Sequence, residues 1–288
     1  MLLWVLPALW SSNYLIARAA AEVIAPHALA FGRWSLALAM ILPFVAAELR
    51  REAPRWRSEW RQSLVLGGLG MWICGAFVYE AARTTTATNM ALIYAAAPVA
   101  IAWAGSRWLG ERLHTAQRWG IALALLGVGV VIARGDPTTL WTLRLTPGDA
   151  WIVLCTLSWV AYSVLLRRWP SVLSPLARLA LVIAGGLVVM APFTLAVPGH
   201  HNALNATALS LQALGLVVAA ALVPGVVSYG AYSFLQRELG AGRTAVLLYL
   251  APVYGGLGAW LALGEQPGWH HLMGALLILP GIWLANRR

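Results

Sequence analysis

Apolar residues run through this chain in long blocks, separated by short links rich in Arg, Pro and Gly. Blocks of about 20 apolar residues match the hydrocarbon thickness of a bilayer. They fall near 2–21, 28–48, 63–82, 87–108, 116–134, 148–167, 174–197, 208–236, 241–263 and 270–286. The pattern predicts an all-α membrane protein of ten transmembrane helices, with no loop large enough to hold a soluble catalytic domain.

The pattern also repeats. Trp10, Arg18, Pro26 and Pro43–Phe44 return 149 residues later as Trp159, Arg167, Pro175 and Pro192–Phe193. At an offset of 154, Arg83, Pro98, Gly110–Glu111 and Gly120 return as Arg237, Pro252, Gly264–Glu265 and Gly274. The chain thus divides into a first repeat over 1–134 (helices 1–5), a connecting loop over 135–147 and a second repeat over 148–288 (helices 6–10). Five spans per repeat is an odd number, so the second copy enters the membrane in the opposite sense. That is an inverted repeat about a pseudo-two-fold axis in the membrane plane, and such repeats point towards transporters.

Composition sharpens the picture. The 288 residues are 60% hydrophobic and 10% charged, against roughly 25% charged in soluble domains, so lipid is the expected solvent. The formal charge of +10 comes from twenty basic residues, all Arg. With a cytoplasmic N-terminus, fifteen of them fall on the cytoplasmic side and five opposite. This is the positive-inside bias, and it puts both termini in the cytoplasm of a multi-pass protein of the cell (inner) membrane. The charge therefore reads as topology and not as a nucleic-acid footprint. The first apolar block has no Lys or Arg ahead of it, unlike a cleavable signal peptide, and it belongs to the repeat. Cys74 and Cys155 lie inside spans and read as small apolar packing residues.

Proline and glycine punctuate the spans. Pro98 and Pro252 fall mid-span at equivalent places, each near a tyrosine (Tyr94, Tyr249), and each removes a backbone hydrogen bond. Such kinks mark either a central site or a packing bend. Pro224–Gly225 is expected to break the eighth span and has no counterpart in the third, which makes Pro224 a hinge candidate. The glycines of spans three, five and nine suit close helix contacts. Glu111 and Glu265 stand at helix corners, either capping the free N–H groups of the next helix or coupling protons.

Trp10-Ser-Ser-Asn13, Phe31-Gly-Arg33-Trp34, and Pro98 thirteen residues before Gly110–Glu111 together carry a resemblance. The whole chain resembles the drug/metabolite transporter superfamily, in the branch with two EamA-type repeats. The resemblance implies a central cavity lined by helices 1–4 and 6–9, with helices 5 and 10 peripheral. Its richness in Trp and Tyr is most similar to bacterial exporters of aromatic and other neutral amino acids. The second copy departs from the first by placing Tyr162 where Asn13 stands and Val182 where Arg33 stands.

Polar and aromatic residues inside spans mark the expected substrate cavity, because lipid rejects their polar parts. Trp10, Asn13 and Tyr14 share one face of the first span, and Ser158, Trp159 and Tyr162 share the equivalent face of the sixth. Ser228, Tyr229 and Tyr232 come from the eighth span, Tyr79 from the third, and Tyr94, Trp103, Tyr249 and Tyr254 from the kinked fourth and ninth. Trp4, Trp56, Trp60, Trp141, Trp169 and Trp283 near span ends read as interfacial belt residues. A lining of aromatic faces, hydroxyls and one amide suits a small neutral zwitterion, with cationic drugs as the alternative. A phosphorylated ligand fits poorly.

Arg33 is the deepest cation. With Glu80 on the same side it forms either a fixed ion pair or an outer gate that breaks and re-forms. A membrane-embedded enzyme would need a nucleophile–base pair or a metal cluster within the spans, and the histidines all sit in loops or at span ends. The reading is therefore a cofactor-free exporter working by alternating access, with a small-molecule substrate and the lipid bilayer as partners. No carboxylate is expected at mid-membrane, which favours a facilitator over a proton antiporter.

Overall fold

A computed structural model describes residues 2–20, 23–85, 90, 93–133, 135–136, 138, 146–195, 210–250, 253–254 and 268–286. The described residues are helical, without a strand among them. The helices in chain order are α1 (Leu2–Ala20), α2 (Pro26–Arg51), α3 (Ala53–Ala81), α4 (Ala97–Trp108) and α5 (Thr115–Ile132). They continue with α6 (Pro147–Arg168), α7 (Pro175–Leu195), α8 (Leu211–Leu239), α9 (Ala241–Leu250) and α10 (Trp269–Asn286). Among the described residues six helices, α2, α3, α5, α6, α7 and α8, are long and apolar enough to cross a membrane. The expected spans at 87–108 and 241–263 fall partly outside the described residues, as do Pro252 and Glu265.

Local chemistry sets the helix ends. Pro26, Pro147 and Pro175 open α2, α6 and α7, where a missing N–H costs nothing. The Asp149 carboxylate accepts from Thr146 N at the start of α6, and the Ser210 hydroxyl accepts from Ala213 N at α8. Gly240, at φ +86°, separates α8 from α9 in a conformation that side chains resist.

Two helices depart from regular α geometry at corresponding places. α3 is π-helical over Gly68–Phe77, and α8 over Ala221–Val227. Pro224 thus does not break α8. The chain widens into a π turn there and stays helical to Leu239, absorbing the proline's missing donor. α3 makes the same departure without a proline, using Gly68, Gly70 and Gly75. Pro98 also differs from expectation. A turn at 95–96 interrupts the helix, and Pro98 sits in the first turn of α4 instead of kinking its middle.

The packing is reciprocal between the halves. α3 lies on α6 and α7, while α8 lies on α1 and α2; α2 meets α7, α4 meets α9, and α5 meets α10. Glycines permit the closest approaches. A Cβ at Gly120 would come within 2.5 Å of Gly281 O, and one at Gly127 within 2.8 Å of Gly274 O. As numbers rise along α5 they fall along α10, so this pair runs antiparallel.

Candidate functional site

The buried centre is an aromatic cluster drawn from both halves. The Trp10 indole of α1 meets the Trp159 indole of α6 edge to face, with centroids 5.3 Å apart. Tyr232 of α8 lies 5.1 Å from Trp10 and 5.0 Å from Trp159. Tyr162 stacks on Trp159 at 5.2 Å, and Tyr229 contacts Trp10, Trp159, Tyr162 and Trp34 at centroid distances of 5.0 to 6.2 Å. Such geometries are favoured by the ring quadrupoles. Trp159, Tyr162, Tyr229 and Tyr232 are all buried.

Neutral partners satisfy the polar tips of Tyr232, Tyr229 and Trp34. Tyr232 OH lies 2.8 Å from Ser163 Oγ and accepts from Gln236 Nε2 at 3.1 Å, and the same amide donates to Ser163 O. Carbonyls of the π stretch of α3 supply the other acceptors. Ser158 Oγ donates to Leu69 O, Tyr229 OH to Gly70 O and Trp34 Nε1 to Met71 O, each at 3.0 Å. Cys155 Sγ donates to Ile73 O at 3.4 Å, and Cys74 and Cys155 are both free thiols. Helices α2, α6 and α8 are thus pinned to one irregular stretch of α3. In α8, Ser228 Oγ closes its own π turn onto Val223 O at 2.8 Å.

Arg33 borders this cluster. Only 2% of it is exposed, and its guanidinium lies 4.5 Å from the Trp34 ring centroid and 5.6 Å from that of Tyr79. Nη1 donates to Tyr79 OH at 2.7 Å and to Asn13 Oδ1 at 3.1 Å, and Tyr79 OH donates to Asn13 Oδ1 at 2.7 Å. Glu80, by contrast, accepts from Arg83 at 3.3 Å on the exposed edge of α3. Helical rotation explains the difference: Tyr79 faces inward, so its neighbour Glu80 turns away from Arg33.

The remaining sequence candidates separate. Trp103 is 61% exposed and touches Trp108, with no ring contact to the cluster among the described residues. Tyr94 and Tyr79 belong to a smaller apolar group with Leu29, Ile152 and Cys155. Tyr249 is buried, and Tyr254 packs at the edge of the main core. The side chain of Tyr14, like Pro252, lies outside the described residues. Trp4, Trp60 and Trp283 are exposed, whereas Trp56 and Trp169 are half-buried.

Carboxylates join the halves at the arginine-rich end. Glu111 accepts from Ala241 N at 3.1 Å and Gly242 N at 3.2 Å, with Arg167 Nε 3.8 Å away. It caps a helix of the opposite half and not the next one along the chain. Glu48 accepts from Ser174 N and Oγ at the start of α7, and Glu59 from Ser171 Oγ. Beside them a cavity of about 290 Å³ lies between α6, α7 and α8, with Arg167, Arg178, Arg237, Ser233 and Gln236 in its walls. Gln236 joins this cavity to Tyr232. Trp34 and Gln236 are absent from the sequence candidates. Gln236 was findable, because it follows Tyr232 by one helical turn on the Ser228–Tyr232 face.

Known proteins agree with this architecture. The chain covers 97% of itself and 94% of an uncharacterized transporter of Archaeoglobus fulgidus at 23% identity. At 26% identity it aligns over 97% of its length with 90% of a probable terminal-alkyne amino-acid exporter of Streptantibioticus cattleyicolor. A 29% identical stretch spans 62% of the chain and 60% of a probable amino-acid metabolite efflux pump of Escherichia coli K12. A solved crystal structure superposes with TM-score 0.77 at 22% identity, covering 99% of this chain and 95% of its own. The model of the EamA-like transporter family matches twice, over residues 1–133 and 146–287. This multi-pass membrane protein, a transporter and not an enzyme, belongs to the EamA-like transporter family.

Proposed function

We propose that the protein exports small neutral metabolites, aromatic and other neutral amino acids foremost, from the cytoplasm across the inner membrane by alternating access. The observation that carries this reading is the cluster of Trp10, Trp159, Tyr162, Tyr229 and Tyr232, built from both halves and hydrogen-bonded through neutral groups. Flat apolar faces with hydroxyls beside them suit an aromatic zwitterion. Two relatives are named as an amino-acid metabolite efflux pump and an amino-acid exporter, which supports the same class. Cationic drugs suit the site less well, because Arg33 stands at its edge.

Ten spans in two inverted repeats, 1–134 and 148–288, form the frame of this proposal. Reciprocal glycine contacts support it. Adding 154 to Gly120 and Gly127 gives Gly274 and Gly281, and the contacts pair Gly120 with Gly281 and Gly127 with Gly274. Exchange of the halves maps this antiparallel set onto itself, as a two-fold axis in the membrane plane requires. The arginine-rich end, with both termini, faces the cytoplasm in this scheme. Rocking is taken up at the π stretches of α3 and α8, with Pro224 in the second.

The test is efflux from proteoliposomes with labelled amino acids, cationic drugs and sugars, with and without a proton gradient. Flux of phenylalanine or other neutral amino acids, sustained without the gradient, is the expected result. A protein that moves only cations or sugars overturns the substrate assignment.

A further inference from the structure

We propose that Arg33 is the docking cation for a substrate carboxylate, which restricts this transporter to carboxylate-bearing molecules; the proposal rests on the aromatic site just described. Arg33 lies seven residues beyond Pro26, roughly 10 Å along α2. It is a buried cation within an apolar span, and such a charge is costly unless an anion meets it. Yet its hydrogen bonds go to neutral oxygens, the Asn13 amide and the Tyr79 hydroxyl. Among the described residues no carboxylate forms an ion pair with it, and Glu80 is taken by Arg83.

The guanidinium is also used on one side alone. Both protein bonds fall on Nη1, while Nε is sealed from solvent without a partner. Nη2 makes no hydrogen bond among the described residues and lies beside Gly75, where an added Cβ would come 3.7 Å from it. Nε and Nη2 form the side-on edge that grips two carboxylate oxygens at once. Tyr79 and Asn13 hold Nη1 in place, so that edge is already oriented. Trp34 lies under the guanidinium and contacts Tyr229 at 5.0 Å, which in turn contacts Trp10. An aromatic amino acid with its carboxylate on Arg33 therefore has ring faces within reach of its side chain.

Three probes separate the charges: L-phenylalanine, phenylpropionate (carboxylate without amine) and phenethylamine (amine without carboxylate). Binding of each to purified protein is measured for wild type, Arg33→Lys and Arg33→Gln. A charge-assisted bidentate contact predicts that wild type binds the two carboxylates roughly 10- to 100-fold more tightly than phenethylamine. Arg33→Gln abolishes that preference and Arg33→Lys keeps part of it. Equal wild-type affinity for phenethylamine and phenylalanine overturns the role of Arg33 and leaves the transport reading intact. An Arg33→Gln protein that weakens all three probes alike also overturns it, as a merely structural arginine would. If Arg33→Gln does not fold, the wild-type series decides alone. A wild type that neither binds nor moves any aromatic amino acid removes the site, and this inference with it.

Discussion

Replacing Gly67 by Ala tests how tightly α3 must sit on α7. A Cβ built at Gly67 lies 2.1 Å from Gly186 N and 2.4 Å from Val182 O, where ordinary contact begins near 3.4 Å. The obstacles are backbone atoms, so no rotamer change relieves them. The helices must part by about 1.3 Å, the difference between 2.1 and 3.4 Å. A gap of ~0.5–1 Å already forfeits a quarter to a half of each dispersion contact, and overpacking of this kind costs ~1–3 kcal/mol. Gly129→Ala is the matched control, because a Cβ there meets nothing within 4 Å. Both substitutions gain the same ~0.5–1 kcal/mol of helix propensity. The difference between them is therefore the packing cost alone. Reversible unfolding in mixed micelles, followed by Trp fluorescence, should place Gly67→Ala ~1–3 kcal/mol below Gly129→Ala. Parting α3 from α7 also displaces the carbonyls of Leu69, Gly70 and Met71 from their donors, so flux should fall too. Equal stability of the two variants would refute the close crossing.

Other variants address individual contacts. Tyr229→Phe deletes the donor to Gly70 O and should cost ~1–3 kcal/mol, read from the same unfolding transition. Glu111→Gln weakens the cap on Ala241 N and Gly242 N and should lower stability by ~0.5–2 kcal/mol, while the folded fraction still transports. Abolished flux in a stable Glu111→Gln protein would instead point to proton coupling. Glu80→Gln breaks only an exposed pair with Arg83 and should cost less than ~1 kcal/mol, with cysteine accessibility on both sides of the membrane unchanged.

Much of this molecule was legible in its sequence because the signals were redundant. Helicity and membrane residence followed from long apolar blocks, while the contact between Trp10 and Trp159, equivalent in the two repeats, emerges only in the structure. Inward and outward faces were not legible. Lipid is as apolar as a helix interface, so hydropathy gives no reason to send Trp159 inward and Trp103 outward. The partner of Arg33 was misjudged by one residue, since Tyr79 and Glu80 lie about 100° apart around α3. The π stretches were hidden as well. Pro224 drew attention to α8, but the matching stretch in α3 has only glycines, which read equally well as packing residues. Trp34 looked like part of a motif and proved to be a strut between α2 and the Met71 carbonyl.

Counterflow of labelled L-phenylalanine in proteoliposomes carrying Trp159→Ala or Trp103→Ala tests whether the substrate sits in the aromatic cluster. Trp159 is 7% exposed within the aromatic cluster and Trp103 is 61% exposed outside it. Loss of one stacking face worth ~0.5–1.5 kcal/mol should cut counterflow about two- to twelve-fold in Trp159→Ala. Trp103→Ala should carry phenylalanine at about the wild-type rate. Undiminished counterflow in folded Trp159→Ala, with loss in Trp103→Ala, would contradict the placement of the substrate in the cluster.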